Sequence, residues 1–304
     1  MLYRVLHETT YTYGEPTSIS HNLGHLLPRR TERQALRHLE LRIEPSPADV
    51  EPYQDYFGND VVAFSLLEPH DHLRVQTESR VDVTPAPPLG TDASPPWEDV
   101  ARSLRSPGDP EALAAREMIW ESPFVAAGPA FAAYARESFE PKRPLLDALI
   151  DFNHRIHADF RYDPEATTLA TPIAQVLEDR HGVCQDFAHL MIGCLRSLGL
   201  AARYVSGYLR SADPPATPKT PPEAASGNLI GAEASHAWVS AWCPPYGWLE
   251  LDPTNDLLPS DRHVLLAYGR DYDDVSPLKG VTLGGGIHSV DVRVEVRPAA
   301  DAEG

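Results

Sequence analysis

The stretch His181-Gly182-Val183-Cys184-Gln185-Asp186-Phe187-Ala188-His189-Leu190-Met191-Ile192-Gly193-Cys194-Leu195-Arg196-Ser197-Leu198-Gly199-Leu200 reads as a turn running into one buried helix. Phe187, Leu190, Met191, Cys194 and Leu198 recur at the spacing of an inward-facing helical stripe, and Gly199 is a natural stop. Cys184 falls three residues before Phe187, so its sulfur shares that face at the first turn. The positive end of a helix and its unpaired N–H groups favour thiolate, the nucleophilic form. Position alone favours a buried structural cysteine, because free cysteine is among the most buried residue types. What decides the matter has to come from residues elsewhere in the chain.

After Leu200 the period changes from helical to two. Arg203 to Tyr208 reads as a strand, a proline-rich loop occupies about 210 to 232, and two further strands, Ser235–Trp242 and Gly247–Asp252, are joined by Cys243-Pro244-Pro245-Tyr246. A simple hairpin centred near Pro244 places His236 directly opposite Asp252, and opposed residues have Cβ atoms roughly 4.5 to 5.5 Å apart. A carboxylate there fixes the tautomer of the imidazole and stabilises its protonated form. A thiol at a helix start, an imidazole on a strand and an orienting acid make the Cys–His–Asp set used for acyl transfer. Glu250, two residues back on the same face, is a rival for the acid, and a one-residue slip of register would separate the pair.

Working towards the N-terminus, Thr171-Pro172 opens a helix burying Ile173, Val176 and Leu177, and another runs from Pro144 with Leu145, Leu149, Phe152 and Ile156 on one face. Asp109-Pro110 pairs a cap with a first-turn proline. Residues 84 to 97 form a proline-rich linker, and residues 1 to 83 alternate as an antiparallel β-sandwich with turns at Glu15-Pro16, Pro45-Ser46-Pro47 and Gly58-Asn59-Asp60. Its histidines, His70 and His72 among them, lack a third ligand at a matching spacing, so no metal is expected. The division is therefore a β-rich domain at 1–83, a linker at 84–97 and a core at 98–304. The segments 210–232 and 262–290 are candidate cleft walls.

The formal net charge of −18 argues against nucleic acid or an anionic membrane surface and fits a basic or neutral peptide or protein substrate. Three sparse cysteines without a CxxC pair fit a reducing cytoplasm, and no apolar run is long enough to span a bilayer. Asp271, Asp273 and Asp274 lack a calcium-loop pattern and read as a solvated turn, while Gly284-Gly285-Gly286 lacks the Lys-Ser/Thr of a phosphate loop. No cofactor is implied.

Gly182 to Leu190, Gly199 to Tyr208, His236-Ala237-Trp238 and Leu251-Asp252-Pro253-Thr254 together resemble the bacterial branch of the transglutaminase-like superfamily, and residues 1 to 83, with Asp55-Tyr56-Phe57-Gly58-Asn59, look like the β-rich domain that precedes its core. The resemblance implies an α+β, papain-like core with Cys184 as nucleophile, His236 as general base and acid, and Asp252 as its orienter. Gln185, Tyr162 and Trp238 are oxyanion or cleft candidates. Gln185 stands where the animal enzymes carry an aromatic residue, and their calcium dependence is not carried over. Hydrolysis of peptide or carboxamide bonds is the favoured activity. Transfer to an amine, or a non-catalytic peptide-binding scaffold on the same fold, are the alternatives.

Overall fold

The computed structural model describes residues 1–90, 94–105, 110–211, 229–231 and 235–299. The N-terminal unit is built from five strands, β1 (Leu2–Gly24), β2 (Gln34–Glu44), β3 (Asp49–Gln54), β4 (Asp60–Leu66) and β5 (His70–Val83), in antiparallel order β2-β5-β1-β4-β3. Alternation of the expected kind sets the inward faces: Leu73, Val75, Val81 and Val83 are buried along β5, as are Tyr3 and Val5 on β1. The expected turn at Glu15-Pro16 is instead a bulge inside β1. Register shifts there between Thr12 and Thr17, and the long strand exchanges β5 for β4 as its partner. The sheet consequently curls on itself, closing over Tyr13, Leu26, Phe64, Leu66, Leu73 and Val75.

The chain then passes through α1 (Trp97–Ser103), α2 (Pro110–Arg116), α3 (Pro129–Ala135) and α4 (Leu145–Asp159). Residue Asp109, the expected cap of α2, lies outside the described residues. Pro144 precedes α4, which buries Leu145, Leu149, Phe152 and Ile156 as its periodicity requires. A two-residue strand β6 (Arg161–Tyr162), helix α5 (Ile173–Asp179) and a second short strand β7 (His181–Gly182), paired parallel to β6, lead into α6 (Cys184–Ser197). The core sheet follows: β8 (Ala202–Leu209), β9 (His236–Trp242), β10 (Trp248–Leu251) and β11 (His263–Gly269), in order β10-β9-β8-β11 and antiparallel throughout. Helix α6 packs against β8 and β9. The architecture is α+β.

After α7 (Tyr272–Val275), β12 (Leu278–Gly284) and β13 (His288–Pro298) return to the first sheet, where β13 pairs with Tyr3 to Tyr13 and β12 with Thr17 to Gly24 of β1. The C-terminal part of the segment read as core, 98–304, thus belongs structurally to the N-terminal sheet, and of 262–290 it is His263, Leu265 and Tyr268 that line a cavity, beside Trp238 and Glu250. Nor are the acidic residues near 271 all solvated. Asp271 is fully buried and accepts from the backbone N–H groups of Phe124 (2.8 Å) and Asp273 (2.9 Å).

The sheets are tied through β8 and β11. Gln34 exchanges two hydrogen bonds with the Leu265 backbone (2.7 and 2.8 Å), and Asn59 two with that of Tyr268 (2.8 and 2.9 Å). His7 meets the Tyr208 hydroxyl at 2.8 Å. A single apolar cluster runs from Tyr3, Val5, Val294 and Val296 to Leu149, Phe152 and Met191.

Candidate active site

Cys184 is the first residue of α6 because Val183 before it is extended and the Asp186 carboxylate turns back to cap the helix. Its Oδ2 accepts from the Val183 N–H at 2.8 Å and from the Thr167 hydroxyl at 2.6 Å. Gly182 makes room for that carboxylate, since a Cβ there would come within 2.6 Å of Oδ2. The Gly182 carbonyl in turn accepts from the Asp163 N–H at 2.9 Å, which holds Tyr162 alongside. The sulfur-bearing residue is 8 % exposed, so it is nearly covered. N–H groups of the first turn have no partner inside the helix and remain available there.

His236 opens β9 and Asp252 follows the last residue of β10. The register differs from the simple hairpin: Trp242 pairs with Trp248 and Val239 with Leu251, a shift of two residues. The cause is a five-residue connection, closed by Cys243 N–H to Gly247 O (2.7 Å) and Tyr246 N–H to Cys243 O (2.8 Å). A shift of two preserves the face, so Asp252 becomes a diagonal and not a direct neighbour of His236. The side chains still meet, Nε2 to Oδ2, at 2.9 Å, both fully buried. Because a carboxylate only accepts, the proton of this bond sits on Nε2, leaving Nδ1 as the nitrogen of the neutral ring that is free to take another. Nδ1 has no well-aligned hydrogen bond of its own among the described residues, and the Cys184 side chain adjoins the ring. Burial disfavours the imidazolium, but the Asp252 charge and then Cys184 outweigh it and raise His236 to about 10.

The Asp252 carboxylate is saturated. Oδ2 also accepts from His263 Nε2 (3.2 Å) and Asn255 Nδ2 (2.9 Å), while Oδ1 accepts from the backbone N–H groups of Thr254 (3.0 Å) and Asn255 (3.2 Å). Burial pushes its pKa upward, yet His236 and His263 hold it well below the usual carboxylate range. His236, Asp252 and His263 present three potential ligand atoms within 4.8 Å, but here these atoms are engaged with one another.

Comparison with known proteins places this geometry. Residues 3–82 match the bacterial transglutaminase-like N-terminal region, and residues 132–253, which contain Cys184, His236 and Asp252, match the transglutaminase-like superfamily. An uncharacterised protein of Mycobacterium tuberculosis is 42% identical over 97% of this chain and 92% of its own. The chain belongs to the transglutaminase-like superfamily. A protein-glutamine gamma-glutamyltransferase of Pseudomonas aeruginosa is 33% identical over 43% of this chain and 18% of its own. The solved structure of a candidate cysteine protease from Cytophaga hutchinsonii superposes with a TM-score of 0.70 at 20% identity, over 99% of this chain and 92% of that one, which shows a shared fold. No helix among the described residues is long and apolar enough to cross a membrane.

Within this superfamily fold, the other residues singled out by sequence divide. Tyr162 lies near Cys184; burial, and then the charges of Cys184 and Asp186, push its phenol up to about 12. Gln185 is half-buried in α6, and its side chain makes no hydrogen bond among the described residues. Trp238 stacks on His236 (6.0 Å between centroids, 27°) and meets His263 edge-on (5.2 Å, 81°). Its ring lies where a Cβ on Gly207 would be. Glu250, the rival acid, accepts instead from the Tyr268 hydroxyl at 3.0 Å. Of the loop 210–232, only 210, 211 and 229–231 fall within the described residues. That end matters: Asn255 grips Ile230 through two hydrogen bonds (2.8 and 3.3 Å), and a Cβ on Gly231 would approach His236 Nδ1 to 2.9 Å. Sequence reasoning missed His263 and Asn255. Asn255 follows Asp252 by three residues, a spacing that turns use to bond side chains locally, whereas His263 carries no local signal because its partner is reached across the sheet.

Proposed function

We propose that this chain is a cysteine-nucleophile acyl-transfer enzyme that cleaves peptide or carboxamide bonds through a thioester, with Cys184 as nucleophile, His236 as base and acid, and Asp252 as orienter. The observation that carries the reading is the His236 ring, bonded through Nε2 to a buried carboxylate and adjoining Cys184 at the start of a buried helix. The thiol proton passes to Nδ1 and the sulfur adds to the carbonyl carbon. Charge on the carbonyl oxygen is met by the Cys184 N–H, with the Tyr162 hydroxyl as a second donor. Collapse expels the amine, which leaves with the Nδ1 proton. Water then gives a proton to Nδ1, attacks the thioester and releases the acid and the thiol.

Hydrolysis is favoured because no second-amine site is evident in the sequence. Transfer to an amine is the second reading, supported by the glutamyltransferase relative, whose matched segment covers 43% of this chain. A scaffold role is disfavoured by a fully assembled buried His–Asp pair, which is costly to keep without use. The formal charge of −18 fits basic or neutral peptide substrates, and three unpaired thiols fit a reducing compartment.

The test is iodoacetamide alkylation against pH, located by mass spectrometry, on the native protein and His236→Ala. Rapid modification of Cys184 below pH 7 that His236→Ala abolishes is the expected result. Reaction only above pH 8, in both proteins alike, would remove the enzymatic reading. Peptide products formed with and without added amine then separate hydrolysis from transfer.

A further inference from the structure

We propose that His263 is a positioning residue that keeps Asp252 ionised and oriented while His236 gains and loses its proton. The proposal rests on the Cys–His–Asp reading and deepens it.

The starting point is the environment of the carboxylate. Asp252 is 0% exposed, and a buried charge needs compensation at every stage of a reaction, not only in the resting state. When His236 is protonated, its positive charge supplies that compensation. Once His236 has given its Nδ1 proton to a leaving amine, the ring is neutral, and Asp252 would face a neutral partner alone. A buried carboxylate facing only a neutral partner gains affinity for a proton from solvent. Once protonated it no longer accepts from Nε2–H, so the ring is free to turn or to take the Nδ1–H tautomer, which has no lone pair towards Cys184.

His263 opposes this. It stands at the start of β11, on the far edge of the core sheet from β10, and reaches across to the same oxygen, Oδ2, that His236 uses, at 3.2 Å. The acceptor-only chemistry of the carboxylate fixes His263 as the Nε2–H tautomer, so it donates whichever state His236 is in. It is itself kept neutral: burial lowers it more than Asp252 raises it, and His236 and Glu250 are the other ionisable groups that act on it. A neutral donor solvates the carboxylate without competing for its charge. Asn255 Nδ2 and two backbone N–H groups complete the set. The Trp238 ring, stacked on His236 and edge-on to His263, holds the two imidazoles apart at 6.3 Å between centroids.

Two substitutions separate positioning from simple packing. His263→Leu fills the space without a donor, and His263→Gln restores an N–H at about the reach of Nε2. Two readouts are taken on full-length protein. One is the pH profile of Cys184 alkylation; the other is the ring proton of His236 Nε2–H, observed by NMR with 15N-labelled histidine. In His263→Leu the acid limb of alkylation is expected to move to higher pH, with reaction at pH 6 slowed roughly tenfold, as when an outer hydrogen-bond partner of a functional side chain is lost. The His236 Nε2–H signal should shift or broaden in parallel, and His263→Gln should recover both. A purely structural histidine would lower the melting temperature in both variants while leaving the pH profile and the His236 signal in place, and that result overturns the proposal. If native Cys184 shows no His236-dependent reactivity, the enzymatic reading fails, yet the NMR comparison still decides whether His263 orients the pair.

Discussion

At the scale of single residues, the same thiol chemistry that distinguishes Cys184 predicts silence from the other two cysteines. Burial pushes the Cys243 thiol up to about 12 and that of Cys194 still further, so neither carries thiolate at neutral pH. Iodoacetamide below pH 8 should therefore mark Cys184 alone, and equal labelling of Cys243 in a peptide map would contradict the assignment. The His236–Asp252 pair also makes stability depend on pH. A raised imidazole contributes stability that is complete below its unfolded value of 6.5 and is lost as pH climbs towards about 10. A depressed carboxylate contributes stability that is present above its unfolded value of 3.8 and is lost as pH falls through its lower folded value. The melting temperature of the native protein should thus exceed that of Asp252→Asn most between those two unfolded values, the gap closing towards pH 10. A calorimetric gap that stays constant from pH 5 to 10 would mean that the pair is not charged as described.

At the scale of elements, two glycines show how the sheet and helix were shaped around the site. A Cβ on Gly207 would lie 2.3 Å from both the Val264 carbonyl and the Trp238 ring, neither of which can yield. One on Gly182 would meet Asp186, whose side chain can rotate away at the expense of the cap on α6. Gly207→Ala is accordingly the more damaging, about 3 kcal/mol or more by overpacking, and Gly182→Ala costs about 1 to 2 kcal/mol through the lost cap. Urea unfolding ranks them, and Gly182→Ala should in addition slow Cys184 alkylation. The helix α6 and the pairing of β9 with β10 were legible because period 3.6 and period 2 are local properties of the chain. The register was read two residues out, since whether Cys243 to Gly247 closes around Pro244 or Pro245 depends on hydrogen bonds that no periodicity encodes. Face survived the error and pairing partner did not, which is why His236 and Asp252 could be matched from sequence through a slightly wrong geometry. His263 and Asn255 escaped notice for a related reason: what makes them informative is a shared acceptor, and acceptors are shared in space.

At the scale of the whole molecule, the return of β12 and β13 was not legible, because an alternating run such as Val290 to Arg297 says that it is a strand and nothing about which sheet it joins. Its destination has a mechanical consequence. β13 covers β1 from Tyr3 to Tyr13 and β12 covers it from Thr17 to Gly24, so β1 is flanked along both halves. Val296 is fully buried and Val294 nearly so, in the same cluster as Tyr3, Val5 and the core helices. Each such side chain is worth about 1.5 to 3 kcal/mol of burial, and removing the strands would also leave the unpaired edge of β1 open to other chains. A protein ending at Pro277 should therefore lose several kcal/mol by the same reckoning and associate through β1, although it keeps Cys184, His236, Asp252 and His263. Calorimetry and light scattering on this truncation decide the point. A full-length chain that melts in one transition, against a truncated chain that melts earlier and aggregates, identifies the two sheets as one cooperative unit. Two separate transitions in the full-length chain, with the later one untouched by truncation, would instead mean that the core carries its own stability and that the C-terminal strands serve the first sheet alone.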